Sequence, residues 1–131
     1  VIVVEPVPVV FIEVNPSFRQ ALASIVTRHF ATDIEFIAVY GTWPPPDAAS
    51  TLRPRAILLG MGSQGLIDPA MLRQIQHIWP ATPVIAMGLL DDEAYRKAAL
   101  ALGVSAFIAK EQLAQELAPT VQRVVAANKV M

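Results

Sequence analysis

Hydrophobic positions along the chain alternate between two patterns. Short, almost wholly apolar runs recur at residues 8–14, 34–40, 56–59, 83–87 and 105–109. Runs of this length bounded by turn residues predict strands buried on both faces of a parallel sheet. The segments between them carry apolar residues at helical spacing. Phe18, Ala21, Leu22, Ile25 and Val26 form one stripe, and Met71, Leu72, Ile75, Ile78 and Trp79 form another. Asn15-Pro16 and Asp68-Pro69 open these two helices with a capping side chain followed by proline at the first helical position. Asp91, Asp92 and Glu93 place negative charge at the start of a fourth helix, where the macrodipole favours it. That helix is expected to turn Tyr95, Ala98, Ala99 and Leu102 inward and to stop at Gly103. A last helix is predicted over residues 112–128, with Pro119 either kinking it or delaying its start until near Ala118.

The segment from Gly41 to Pro46 breaks the rhythm. Three successive prolines remove backbone donors and hold the chain extended. The second helix is therefore short, over residues 47–52. Five strands alternating with five helices predict an α/β fold with right-handed crossovers: a flavodoxin-like, doubly wound (βα)5 domain with a five-stranded parallel sheet in the order 2-1-3-4-5. Glu35 makes the second strand a suitable edge. All 131 residues fit one domain, with a core over about residues 8–128. The chain opens on Val1 and reads as the N-terminal part of something longer.

Composition narrows the function classes. Apolar residues make up 54% and charged residues 16%, against about 25% charged in an average soluble domain. This excludes a disordered chain and leaves apolar surface for a partner. A net charge of −1 supplies no field for nucleic acid or an anionic membrane. There is no cysteine for disulfide or thiolate chemistry, no apolar run near the ~20 residues that cross a bilayer, and no basic leader segment. A cytoplasmic location is the expectation.

Candidate chemistry is sparse. Gly60, Gly62 and Gly65 match the dinucleotide fingerprint letter by letter. That fingerprint needs its helix to begin on the glycines and an acid about 20 residues on. Here the helix starts later, at Asp68-Pro69, and Met87-Gly88 stand where the acid belongs. His29 and His77 lie on different helices without acids or cysteines nearby in sequence, and no serine sits in a nucleophile elbow. No catalytic set and no cofactor is predicted. Glu13 and Lys110 stand out instead. They fall at the carboxyl ends of the first and fifth strands, so both face the crevice where parallel sheets do their chemistry, and an ion pair between them is expected.

With these positions placed, the chain resembles the receiver domains of bacterial two-component response regulators, the branch preceding LuxR-type output domains most of all. Residues 9–22 (VVFIEVNPSFRQAL) resemble that branch's V-L-I-V-D-D-H-P-L-F-R-x-A-L. Residues 52–59, 71–75, 83–93 and 103–110 resemble the approach to the phosphoacceptor, the third helix, the fourth strand with its exit, and the fifth strand with its lysine. The departures fall on the chemistry. Receivers carry an acidic pair after strand one, an aspartate after strand three and a hydroxyl residue after strand four. By resemblance those positions are Glu13-Val14, Gly60 and Gly88 here; Lys110 is retained, and Phe107 keeps the aromatic character of the switch position.

The resemblance thus implies a degenerate receiver: not an enzyme, without metal or cofactor, acting as a phosphorylation-independent regulatory and dimerisation module attached to an output domain such as a transcription factor. A homodimer or partner contact is expected through the fourth and fifth predicted helices and the fifth strand, or through the first and fifth helices. Val121, Val124, Val125 and Val130 are read as more valines than one buried face needs. Two alternatives remain: a small-molecule or anion-binding module using the emptied crevice, and an adaptor fused to a pilus or secretion ATPase.

Overall fold

The computed structural model describes residues 5–43, 45–61, 67–89 and 92–129. The strands are β1 (Val7–Ile12), β2 (Ile34–Tyr40), β3 (Ala56–Gly60), β4 (Val84–Gly88) and β5 (Ala106–Ala109). All pair in parallel, in the order β2-β1-β3-β4-β5. The helices are α1 (Pro16–His29), α2 (Pro69–Ile78), α3 (Glu93–Ala101) and α4 (Leu113–Lys129). The expected flavodoxin-like sheet is present, and β2, with Glu35 exposed, is an edge strand.

The expected second helix, over residues 47–52, does not form as an α-helix. Between β2 and β3 the chain makes only a single 3-10 turn, Asp47–Thr51, because the preceding prolines hold the backbone extended and leave too little chain for an α-helix. The last helix keeps its expected range: α4 starts at Leu113, not near Ala118, and runs through Pro119, which costs it the hydrogen bond to the carbonyl four residues back.

Alternation along the strands divides the core in two. Val9, Phe11, Leu58, Ile85, Met87 and Ile108 face Leu22 and Val26 of α1 and Leu117, Val121, Val124 and Val125 of α4. On the other side, Val10, Ile12, Ile57, Leu59, Ala86 and Phe107 face Leu72 and Ile75 of α2, Trp79 directly after it and Ala99 of α3. A sheet buried on both faces explains why its strands are continuously apolar.

Three side-chain expectations need correction. Val121, Val124 and Val125 are all buried, since the i, i+3, i+4 spacing puts them on one face; they supply core and not surface. Val130 lies outside the described residues. On α3 only Ala99 is fully buried, with Tyr95 half-buried, while Ala98 and Leu102 are exposed. Leu102 is already the C-cap, where Gly103 at φ +106° turns the chain away, so helical periodicity no longer places it. On α1, Ala21 and Ile25 are likewise exposed.

Both helix starts follow their sequence signals. Asn15 accepts from Phe18 N at 3.0 Å, and Asp68 accepts from Ala70 N at 2.9 Å.

Candidate functional site

The crevice at the carboxyl ends of β1, β3, β4 and β5 is organised by Glu13, the residue directly after β1. Its backbone N–H still bonds Tyr40 O at 3.0 Å, continuing the pairing with β2. Its side chain lies against Gly60 at the end of β3 and is only 1% exposed. Such a buried carboxylate needs partners for both oxygens. Lys110 Nζ donates to Oε1 at 2.8 Å, and the Asn15 backbone N–H donates to Oε2 at 3.2 Å.

Lys110 reaches across from the end of β5 and is itself mostly covered, with 16% of its side chain exposed. Its ammonium lies 4.0 Å from the centroid of the Phe18 ring, a cation–π contact that supports the same position. From α1, Arg19 Nη1 donates to the Glu13 carbonyl at 2.9 Å and fixes the backbone beneath the carboxylate. The sequence marks Phe18 only as part of the apolar stripe of α1, and Arg19 not at all. Their signal was faint: both sit within a turn of the Asn15 cap, where side chains reach back over the β1 exit.

Gly60 explains where the carboxylate lies. A Cβ built on Gly60 would meet Glu13 Cδ at 2.6 Å and Oε2 at 2.9 Å, with Oε1 closer still. Real Cβ atoms do not make such contacts, so Glu13 occupies the space a side chain at 60 would take. Val14, the neighbour of Glu13, points outward and is 56% exposed.

The same substitution of space occurs one strand along. A Cβ on Gly88 would fall under 3.0 Å from two ring carbons of Phe107. The Phe107 ring is thus seated over Gly88, inward and buried. Arg96 of α3 holds it from outside, donating to the Phe107 carbonyl at 3.1 Å with its guanidinium carbon 5.1 Å from the ring centroid. Arg96 was also missed in the sequence, where it reads as an ordinary helix cation.

What remains of the crevice is a cavity of about 130 Å³ bounded by Glu13, Val14, Gly60, Met61, Asp68 and Met71, among others. The remaining fingerprint glycines, Gly62 and Gly65, lie outside the described residues. A Mg²⁺ ion of the kind receivers use does not fit these residues. Mg²⁺ takes carboxylate oxygens in near-octahedral order, whereas both Glu13 oxygens are engaged and Val14 offers none. Among the described residues no group of three or more His, Asp or Glu side chains converges on a common point. His29 and His77 stay apart on α1 and α2, both exposed.

No protein-family model matches the sequence, and no curated protein matches it. Solved structures do match the fold. The response regulator domain of Thermotoga maritima CheB superposes with a TM-score of 0.73 at 21% identity, covering 93% of this chain and 98% of that one. The receiver domain of a putative response regulator NarL from Mycobacterium tuberculosis gives 0.69 at 21% identity, covering 93% and 98%. The two-component response regulator RcsB in its DNA complex gives 0.74 at 10% identity over 94% of this chain, which spans 62% of that longer chain. The fold is that of response-regulator receiver domains. At these identities the likeness is one of architecture. No helix among the described residues is long and apolar enough to cross a membrane.

Proposed function

We propose that this chain is a receiver-fold regulatory module of signal transduction whose output does not depend on phosphoryl transfer. One observation carries the reading: the Glu13 carboxylate, paired with Lys110 at 2.8 Å, fills the space over Gly60. Phosphoryl transfer to a receiver needs a nucleophilic carboxylate at that position and a metal beside it. Glycine supplies no nucleophile, and the internal ion pair takes up the lysine. Glu13 thus acts as a built-in counter-ion for Lys110, and Phe107 seated over Gly88 keeps the β4–β5 end in one arrangement. Incubation with acetyl phosphate and Mg²⁺ followed by intact-mass measurement tests this. No added phosphoryl mass is expected, and a stoichiometric adduct overturns the proposal.

The remaining crevice of about 130 Å³ falls short of the roughly 300–1,000 Å³ of ordinary ligand sites, which speaks against a ligand held there. Output then runs through surface contacts, in the cytoplasm, toward an attached domain such as a transcription factor or toward a second copy. With the α4 valines buried, the apolar surface nearest the expected interface is Leu100 and Leu102 at the end of α3, 44% and 40% exposed. Light scattering over a concentration series, with Leu100→Glu as the probe, checks self-association. A dimer dissociated by this substitution supports the contact, and a monomer at every concentration removes the homodimer.

A further inference from the structure

The 3-10 turn that replaces a helix between β2 and β3 leaves the outer side of α2 uncovered. An open groove of about 770 Å³ lies there, lined by none of the residues that bound the Glu13 crevice. Trp43, Pro45 and Pro46 form one wall, and Arg73, His77 and Ile78 of α2 form the other. The indole of Trp43 is held in place by donating its Nε1–H to the side-chain oxygen of Gln74. Arg73 and His77 are one helical turn apart and therefore share a face. Both are exposed, and neither has a hydrogen-bond or ion-pair partner among the described residues. Asp47, on the 3-10 turn, also lines the groove with its carboxylate unpaired among the described residues.

These groups define a ligand chemistry. A guanidinium offers paired donors matched to a carboxylate, and the adjacent imidazole adds a further donor. The indole and the proline rings provide flat apolar walls suited to an aromatic body. Asp47 accepts from a hydroxyl or amine and disfavours a second negative charge. The groove volume lies within the range of small-molecule sites. We propose that this groove binds a small aromatic acid, with its carboxylate on Arg73 and His77, its ring against Trp43 and Pro45, and a polar donor toward Asp47. No residue of the crevice takes part, so this site stands or falls separately from the phosphorylation-independent reading.

Amide and indole NMR titrations of the chain test it with three probes: 4-hydroxyphenylacetate, phenylacetate and acetate. The expected result is saturable shifts of the Trp43 indole and of α2 amides around Arg73 and His77, strongest with 4-hydroxyphenylacetate and weakest with acetate. Arg73→Ala, at an exposed position that leaves the fold intact, should weaken 4-hydroxyphenylacetate by at least about tenfold, the loss of one charge-assisted contact. Asp47→Asn should narrow the gap between the hydroxylated and plain acids. The absence of shifts at these residues with all three probes, acetate binding as well as the aromatic acids, or unchanged affinity in Arg73→Ala would each overturn the assignment.

Discussion

The carboxylate of Glu13 and the missing side chain of Gly60 share one space: a Cβ on residue 60 would meet Glu13 Cδ at 2.6 Å. The two residues are complementary, so neither is free to change alone. Glycine at the end of β3 is what lets a buried glutamate swing over the sheet edge, and the glutamate gives Lys110 a partner 97 residues away in sequence.

Gly60→Ala should therefore destabilise the domain even though alanine suits a strand better than glycine. Forcing an extra carbon into a filled site costs about 1–3 kcal/mol, and here it also strains the Lys110 pair. In a Glu13→Ala background the same substitution should be nearly neutral or stabilising. Urea unfolding of the four proteins in this cycle gives the coupling directly. Equal effects of Gly60→Ala in both backgrounds would show that the two residues do not compete for space.

Glu13→Gln and Lys110→Met should each cost on the order of 1–3 kcal/mol, because each leaves a largely buried group without its charged partner. Removing both should cost clearly less than the sum, since the pair's worth against an uncharged replacement is small. Chemical denaturation of the single and double variants checks this, and strictly additive losses would mean that the 2.8 Å contact carries no coupling.

Phe107 and Gly88 form a second coupled pair. In the unsubstituted protein the Gly88 Hα resonances should be displaced by the ring current of Phe107, and Phe107→Leu should return them toward ordinary values. Gly88→Ser should push the ring off its seat, at a cost of about 1–3 kcal/mol, and loosen the Arg96 contact with it. Gly88 Hα shifts that do not respond to Phe107→Leu would place the ring elsewhere.

Much of this architecture is legible in the sequence. The Asn15-Pro16 and Asp68-Pro69 starts, the five apolar runs and Gly103 each carry a local signal strong enough to set an element. The meeting of Glu13 and Lys110 is also legible, because parallel strands in a 2-1-3-4-5 order bring the ends of β1 and β5 to the same edge. The occupation of space over Gly60 and Gly88 is not. A glycine in sequence says only that no side chain is present, and what fills the gap depends on side chains that arrive through the fold. The α4 valines mislead for a related reason: counting Val121, Val124 and Val125 together with Val130 hides that the first three form one buried face. The 3-10 turn after the prolines, and the groove it opens along α2, are tertiary consequences of a stretch that by itself says only where a helix cannot form.

In the proposed function the crevice is closed by the Glu13–Lys110 ion pair and accepts neither a phosphoryl group nor its metal. Backbone amide spectra recorded before and after addition of Mg²⁺ and beryllofluoride, a phosphoryl mimic, test it most directly. The expected spectra superimpose, with Glu13, Gly60, Gly88 and Lys110 unmoved. Saturable shifts at those four residues would show that the crevice opens to the ligand and would overturn the phosphorylation-independent reading.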